Sequence, residues 1–387
     1  MSPELARAIR RVAPFAFAGL GLAVILFASL QFIGSDGFSF DFRAYDLAAR
    51  RIAAGDHLYL ADTVDRYNSG LYAGLYLYPP QMAIALVPFT VFTPGTAAIV
   101  WLWARLLALA LGCAVMPVRG WVRLVTFGMA ALSFPVLYDL NLGNVSAVVF
   151  ALSAVVWRLG SRPAAGAVLA VLIAIRYPFA AVAIAWLAMR RWRVLAVMMG
   201  TGLILLALAV PIVGFTGYVD YVTILRGLRD ISTGVDNLSI TASLGQAGAP
   251  DTVARIAGLA GMVATAGVTW WVGWKRDPET AIVVALAAPL LVAPFFHPHY
   301  LVALLIPGAF LANRGRPWAV AMPLLGWLPG PVLPVVAALA ILAPLVARPP
   351  ETDPRADTSF DDRPIGLASQ IVPEDAPRRP ATGGSTR

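Results

Sequence analysis

Long apolar runs, separated by short polar stretches, cover most of the chain from Ala13 to Val346. Such runs predict membrane-spanning helices, because a helix needs about 20 apolar residues to cross the hydrocarbon core of a bilayer. The pattern therefore predicts an all-α polytopic membrane protein. Its predicted segments, about twelve in number, are 13–33, 96–116, 122–138, 142–158, 163–175, 177–189, 194–214, 253–274, 279–295, 298–312, 317–329 and 331–347.

Three apolar stretches are too short for a simple crossing. Segments 163–175 and 177–189 either extend beyond these limits or meet inside a cavity, since neither reaches the length of a spanning helix. Residues 79–92 could span the membrane, re-enter it or lie at its interface.

The basic residues predict an orientation, provided that 79–92 does not cross. With residues 1–12 in the cytoplasm, the basic positions on the cytoplasmic side are Arg119, Arg123, Arg158, Arg162, Arg190, Arg191, Arg193, Lys275, Arg276, Arg314, Arg316 and Arg348. This agrees with the excess of Lys and Arg in cytoplasmic loops. If 79–92 does cross, the order of sides after it inverts and the agreement is lost.

This topology divides the chain into a transmembrane domain and a tail. The transmembrane domain, 13–347, carries outer loops at 34–95 and 215–251, and the first of these is predicted to contain short interfacial helices. Residues 348–387 are rich in Pro, Asp, Arg, Ser, Thr and Gly, so they predict a disordered cytoplasmic tail.

Composition supports a membrane protein and argues against nucleic-acid binding and cysteine chemistry. Hydrophobic residues make up 59% of the 387 residues and charged residues 13%, whereas soluble domains carry about 25% charged residues. The net charge of +8 does not indicate nucleic-acid binding, because the arginines fall between the helices. The single cysteine, Cys113, excludes an intramolecular disulfide and a cysteine metal site.

Polar features converge on the outer side of this topology. They are the 34–78 stretch, the turn 139–144, the turn 176–178, the 215–251 loop and the segment 297–300. None of them was used to build the topology, so their agreement predicts an outward-facing site.

The first polar stretch contains the leading carboxylate. Residues 43–54 have the apolar spacing of a short amphipathic helix closed by Gly55, with Asp46 on its polar face. Asp41 lies at or just before the start of this helix. There it either caps backbone N–H groups or acts as a general base.

Aromatic and amide side chains form a second set of candidates. Tyr78 belongs to the stretch 76–81, which is either a membrane-edge aromatic belt or a wall on which sugars stack. Asp139, Asn141 and Asn144 lie in a polar turn whose amides can bind sugar hydroxyls, or which is an ordinary helix–helix turn.

Cationic candidates come later in the chain. Arg176 interrupts an apolar stretch, which predicts that it holds a lipid phosphate, the alternative being an arginine that snorkels to the interface. His297 and His299 lie at one predicted helix end. Two histidines at this spacing do not share a helix face, so phosphate contact or a hydrogen-bond network is favoured over a metal site, with an interfacial polar turn as the alternative.

Together these stretches resemble the polyprenyl-phosphate-dependent membrane glycosyltransferases of family 87, which include mycobacterial mannosyl- and arabinofuranosyltransferases. The elements that carry the resemblance, in order over about 36–300, are Asp41, Tyr45, Gly55, Tyr59, Tyr78-Pro79-Pro80, Gly143-Asn144, Arg176-Tyr177-Pro178, Arg190-Arg191-Trp192-Arg193, Asn237-Leu238-Ser239 and His297-Pro298-His299-Tyr300. Two departures stand out. The family's Lys-Pro-like turn is Arg176-Tyr177-Pro178 here, and Pro298 splits the two histidines.

The resemblance implies a GT-C fold and an inverting transfer of a sugar, with mannose the first candidate, from a polyprenyl-phosphate donor to a lipid-linked or glycan acceptor. It implies Asp41 as the base, with Asp46 and Asp139 as secondary candidates. The implied groups for the donor phosphate are Arg176, His297 and His299, and those for substrate binding are Tyr78, Asn141, Asn144, Asn237 and Ser239.

The expected setting is the bacterial plasma membrane, with the site facing outside and both termini in the cytoplasm. No cofactor, essential metal or nucleic-acid partner is expected. Two other function classes stay open at this point: a lipid or sugar transporter or flippase, and an assembly protein without catalysis. Transporters usually place ionisable groups near the bilayer midplane, whereas most polar clusters here fall at one face.

Overall fold

The computed structural model describes residues 2–227, 237–293 and 295–346, and within these ranges all regular secondary structure is helical. This confirms the predicted all-α class. The helices are α1 Pro3–Ile33, α2 Phe40–Ala54, α3 Thr63–Asn68, α4 Pro80–Leu86, α5 Pro94–Val115, α6 Gly120–Leu132, α7 Phe134–Leu142, α8 Ser146–Leu159, α9 Pro163–Ile175, α10 Ala181–Ala188, α11 Trp192–Gly227, α12 Ile240–Gln246, α13 Asp251–Lys275, α14 Pro278–Ala287, α15 Pro289–Val292, α16 Leu305–Asn313 and α17 Leu333–Leu342. Shorter 3₁₀ stretches cover Val87–Val91, Tyr177–Ala180, Pro298–Leu304, Pro317–Trp327, Gly330–Val332 and Ala343–Val346. The predicted tail at 348–387 lies outside the described residues.

Four helices among the described residues are long and apolar enough to cross a membrane: Arg11–Ile33 within α1, and α5, α11 and α13. Helices α6 and α7 together give a fifth candidate, bent by 63°. The other apolar helical stretches have 10–17 residues. The chain thus has the helices of a multi-pass membrane protein, while the count of about twelve crossings stays a prediction.

Prolines explain why several predicted segments are divided. Proline has no N–H and its ring clashes with the preceding turn, so it ends or reshapes a helix. The predicted segment 279–295 divides at Pro289, and 298–312 begins as a 3₁₀ stretch from Pro298. Segment 317–329 is 3₁₀ over Pro317–Trp327.

The two short segments meet at Arg176. Helix α9 has the predicted bounds, and a 3₁₀ turn and α10 follow it. Between them Arg176 has an extended backbone, with φ −141° and ψ 97°. Neither segment is longer than predicted, so the break in the helix carries the arginine into the interior of the protein.

Helix α2 differs from its prediction in two ways. It begins at Phe40, so the N-cap position belongs to Ser39, and Asp41 lies in the first turn. Asp46 pairs with Arg50 at 2.8 Å and is 4% exposed, so the predicted polar face of the helix is buried at this position. Arg50 donates to the carbonyls of Thr90 and Phe92, because the chain beyond α4 covers this face.

Residues 215–227 of the predicted second outer loop are helical. They continue α11 beyond Gly214, whose φ of 69° and ψ of 170° interrupt the helix. A helix rises 1.5 Å per residue, so α11 without a bend would be about 54 Å long, against about 30 Å for the hydrocarbon core. The end of α11 packs against α3 and α4, which belong to the segment 34–95.

Candidate active site

Asn144 joins the leading carboxylate to the leading cation. Its side-chain N–H donates to Asp41 Oδ2 at 2.7 Å, and its Oδ1 accepts from Arg176 Nη2 at 2.5 Å. Tyr78 lies at the same junction, because its hydroxyl accepts from Asn144 at 3.2 Å and from Arg176 at 3.5 Å. The structure therefore brings four predicted site residues into one cluster, the Asn144 bridge, although they come from four separate parts of the chain.

A glycine turn sets the position of Asn144. Gly143 ends α7 with φ of 78°, a conformation that favours glycine. A Cβ atom at this position would lie 2.8 Å from Phe42 Cβ and 3.0 Å from Ser39 Cα, so the turn touches the start of α2. Trp101 holds the turn from the other side, where its indole N–H donates to the Gly143 carbonyl at 2.8 Å.

Arg105 and Asp139 stabilise this turn through buried contacts. Arg105 is 0% exposed and donates to the carbonyls of Asp139 and Leu140 at 2.6 and 3.0 Å, at the C-terminal end of α7. The carboxylate of Asp139 lies 3.8 Å from Arg105 and accepts from the Ser146 N–H at 3.0 Å. These contacts give Asp139 a structural role in the turn that presents Asn144.

Arg176 is 9% exposed, so a snorkelling arginine with its head in water is excluded. Besides Asn144, its Nη2 donates to Ser146 Oγ at 3.2 Å. The guanidinium carbon lies 3.9 Å from the centre of the Tyr300 ring, which is a cation–π contact. Its Nε is buried and has no hydrogen-bond partner among the described residues, so the guanidinium retains a donor for a ligand.

The two histidines adjoin this cation through Tyr300. The His299 ring centre is 4.8 Å from that of Tyr300, and His297 stacks on His299 at 5.6 Å. His299 is 4% exposed, and neither ring nitrogen has a hydrogen-bond partner among the described residues. Buried polar atoms are normally paired, so these nitrogens are available to a ligand.

Asn237 and Ser239 hold the histidine segment. The Asn237 side chain accepts from the N–H groups of Phe296 at 3.1 Å and Ser239 at 3.0 Å, and the Leu238 N–H donates to the Phe296 carbonyl at 2.6 Å. Ser239 caps α12 by accepting from Ala242 N–H at 3.2 Å. Both side chains are engaged with backbone, which fixes the chain immediately before His297.

Asn141 ties the approach to α2 onto the same turn. Its carbonyl accepts from the Ser39 N–H at 2.7 Å, and its side chain accepts from Ser35 Oγ at 3.3 Å. These bonds connect the residues before α2 to the end of α7. Asn141 therefore helps to place the first turn of α2, which carries Asp41.

The electrostatics of Asp41 suit a base. Burial raises the pKa of this half-buried carboxyl above its usual range, while the hydrogen bond from Asn144 and the charges of Arg176 and Arg105 lower the pKa by a smaller amount. A carboxylate with a raised pKa holds a proton more strongly, which is what a general base requires.

Two residues of the site were not predicted from the sequence. Ser146 lies two residues after Asn144, and only its position just after the polar turn could have suggested it. Arg105 interrupts the apolar segment 96–116 as Arg176 interrupts its own, so the same signal could have found it. Among the described residues, no three His, Cys, Asp or Glu side chains are grouped to hold a metal ion.

Comparison with known proteins gives the family. The family model of glycosyltransferase family 87 matches residues 76–298, more than half of the chain, and confirms the resemblance. The matched range contains Tyr78, Asn144 and Arg176, and Asp41 precedes it. No curated protein and no solved structure matches the chain. The family does not favour a transporter. With its long apolar helices and this match, the chain is a membrane glycosyltransferase and belongs to glycosyltransferase family 87.

Proposed function

We propose that the protein moves a sugar, mannose first among the candidates, from a polyprenyl-phosphate donor to a hydroxyl of a lipid-linked or glycan acceptor. The transfer inverts the anomeric configuration and takes place on the outer face of a bacterial plasma membrane. The observation that carries the proposal is the Asn144 bridge, which holds a carboxylate and a guanidinium on opposite ends of one amide.

The proposed reaction is a single displacement. The acceptor oxygen bonds to the anomeric carbon while the bond from that carbon to the phosphate oxygen breaks, which inverts the configuration. The acceptor proton passes to Asp41, and polyprenyl phosphate leaves with the electron pair. General-base help of this kind contributes about 10²–10⁴ in rate.

Arg176 supports the departure of the phosphate. It is a buried, permanently charged group with an unpartnered Nε, and Tyr300 stacks beneath its guanidinium. A fixed cation in a dry site stabilises charge that develops on a leaving group better than the same cation in water. His299, with two unpartnered nitrogens, and His297 beside it are the further donors to this phosphate.

The amide between the two charges is central to the proposal. A carboxylate in direct contact with a guanidinium loses basicity, because the opposite charge favours its ionised form. Asn144 occupies the position between Asp41 and Arg176 and binds both. Asp41 can therefore still accept a proton from the acceptor hydroxyl, and Arg176 can still donate hydrogen bonds to the donor phosphate.

The secondary carboxylates have partners that favour structural roles. Asp46 pairs with Arg50, and Asp139 pairs with Arg105 and accepts from the Ser146 N–H. Asp41 is therefore the carboxylate that we assign to the acceptor.

A transfer assay tests the proposal. The purified protein in detergent is given polyprenyl-phosphate mannose, glucose or arabinofuranose, with octyl α-mannoside or a bacterial glycolipid extract as acceptor. We expect transfer from a polyprenyl-phosphate sugar, an inverted product by NMR and full activity in EDTA. Transfer from a nucleotide sugar alone, or retention of configuration, would contradict the proposal.

The outer location is tested separately. A cysteine at position 60 in a Cys113→Ala background is labelled with a membrane-impermeant maleimide in intact cells. We expect labelling from outside. Labelling that requires broken cells would place the site in the cytoplasm.

A further inference from the structure

A series of tyrosine rings leads away from the Asn144 bridge. Tyr78 touches Asn144, and its ring centre is 6.2 Å from that of Tyr76. Tyr76 is 5.8 Å from Tyr59, and Tyr59 stacks on Tyr221 at 6.2 Å. The series thus starts at the proposed catalytic cluster and ends on the last part of α11.

The end of α11 adds polar groups to this series. Tyr218 accepts a hydrogen bond from the Gln81 side chain at 2.6 Å, and Asn68 donates to the Gly227 carbonyl at 3.4 Å. These bonds hold residues 215–227 against the first outer loop. On the same helix, Phe215 and Val219 are 73% and 63% exposed.

Two kinds of tyrosine occur in the series. Tyr76 is 2% exposed, and its hydroxyl is bound to the Pro79 carbonyl, so it can only support its neighbours. Tyr78, Tyr218 and Tyr221 are half-buried, and Gln81 among them is half-buried as well. Tyrosines of a membrane-edge belt direct their rings to lipid. Here Tyr218 instead bonds to Gln81 and Tyr221 stacks on Tyr59, so both turn towards the loop that carries Tyr78.

Aromatic faces beside amide and hydroxyl groups suit a sugar ring. The apolar C–H face of a pyranose packs on an aromatic ring, and its hydroxyls require a few placed polar groups. We infer that the surface formed by Tyr78, Tyr218, Tyr221 and Gln81, here the tyrosine surface, binds a sugar ring of the acceptor. This inference rests on the proposed transferase function and names which part of the acceptor the protein recognises.

Acceptor kinetics test the tyrosine surface. In Tyr221→Leu we expect the acceptor KM to rise about tenfold, because a ring contact is lost, with the donor KM unchanged. Tyr221→Phe keeps the ring and should stay close to the wild-type KM. Gln81→Leu should raise the acceptor KM by a smaller factor. Tyr72→Leu is the matched control, since Tyr72 is 48% exposed in the same outer loop and pairs with Tyr67.

Two acceptors with one glycan and different tails separate a sugar site from a lipid site. Octyl and hexadecyl glycosides should show the same factor in Tyr221→Leu. A rise in KM confined to the hexadecyl acceptor, or a rise in the donor KM, would overturn the inference in favour of a lipid-guiding wall. An unchanged acceptor KM in a folded Tyr221→Leu protein would overturn it as well.

Direct binding keeps the inference separate from the proposed function. Saturation-transfer NMR with a panel of octyl glycosides measures binding without turnover. Binding that Tyr221→Leu abolishes would support the tyrosine surface even if no tested donor were used, and in that case the proposed transfer alone would fail. No binding by the wild-type protein would overturn the surface.

Discussion

Two arginines meet acidic groups in opposite ways in this protein. Arg314, near the end of α16, lies 2.9 Å from both Asp277 and Glu279 at the start of α14, and donates to Thr280 at 3.2 Å. Arg176 and Asp41 instead hydrogen-bond the two ends of the Asn144 side chain. The first arrangement is a direct salt bridge between two helices. In the second arrangement the Asp41 carboxylate and the Arg176 guanidinium are each bound to an amide, so each can still bind a substrate.

The pKa values of the two acids show the consequence. Burial alone would raise the pKa of Asp277, but the hydrogen bonds from Arg314 and Thr280 outweigh it and lower the pKa. At Asp41 burial dominates, and the bond from Asn144 and the charge of Arg176 lower the pKa by less than burial raises it. A directly paired carboxylate becomes a weaker base, whereas a carboxylate behind an amide stays a usable one.

The largest expected effect is a loss of kcat on substitution of Asp41 that substitution of a neighbouring aspartate does not cause. Asp41→Asn should lower kcat by about 10²–10⁴, because the amide cannot accept the acceptor proton. The measurement is sugar transfer by protein that elutes as a folded peak in detergent. Asp36→Asn is the matched control, since Asp36 is exposed in the same outer loop, and it should keep wild-type activity. Full activity in Asp41→Asn would remove Asp41 as the base.

The second prediction compares the loss of Arg176 with the loss of Arg314. Arg176→Ala should lower kcat by about 10²–10³, the range for losing one preorganised donor to a developing charge. Arg314→Ala should instead lower stability by about 1–3 kcal/mol with kcat per folded molecule unchanged, because it removes a partly buried ion pair far from the reaction. Initial rates and the thermal unfolding midpoint, followed by tryptophan fluorescence, give the two readouts. A loss of kcat in both variants would mean that the comparison is wrong.

The third prediction concerns the turn that presents Asn144. Gly143→Ala should destabilise the turn by about 1–2 kcal/mol, since φ of 78° is strained for any residue with a Cβ atom. The added Cβ would also press on Phe42 and Ser39 and displace Asp41 from Asn144. We expect a lower unfolding midpoint and a lower kcat together. Gly55→Ala, also at positive φ but with open space around it, should lower the midpoint only.

The smallest expected effect is a shift of the pH profile. A base works in its ionised form, so activity should rise as pH rises through the pKa of Asp41. Asn144 lowers that pKa by donating to the ionised carboxylate, so Asn144→Ala should raise it and move the acid limb of kcat/KM to higher pH. An acid limb that stays in place would show that another group controls it. Asn68→Ala, outside the cluster, is the control.

The sequence predicted the regular helices well and their interruptions less well. Apolar length alone located α5, α9 and α13 to within a few residues. The divisions at Pro289 and Pro298 follow from local chemistry that a hydropathy average hides. The bend between α6 and α7 lies next to Pro135, again inside an apolar run.

The sequence singled out individual site residues, but it did not predict the contacts between them. Asp41, Asn144 and Arg176 each stood out as a polar residue beside an apolar helix. The contacts between them could not be derived from the sequence. More than a hundred residues separate Asp41 from Asn144, and helical periodicity does not show which distant residues are close in space. The burial of Asp46 could not be derived for the same reason, since the carbonyls that engage its partner Arg50 come from residues 90 and 92.

The spacing of the site along the chain also sets the order in which it can form during synthesis. Ribosomes add about 5–20 residues per second, and chains fold from the N-terminus as they emerge. The support of Arg105 on α7, and then the contact of Asp41 with Asn144, can form once residues 139–144 have been synthesised. Tyr300 arrives more than 120 residues after Arg176, about 6–25 seconds later at these rates. Of the contacts described for Arg176, the cation–π contact with Tyr300 is therefore the last that can form as the chain is made.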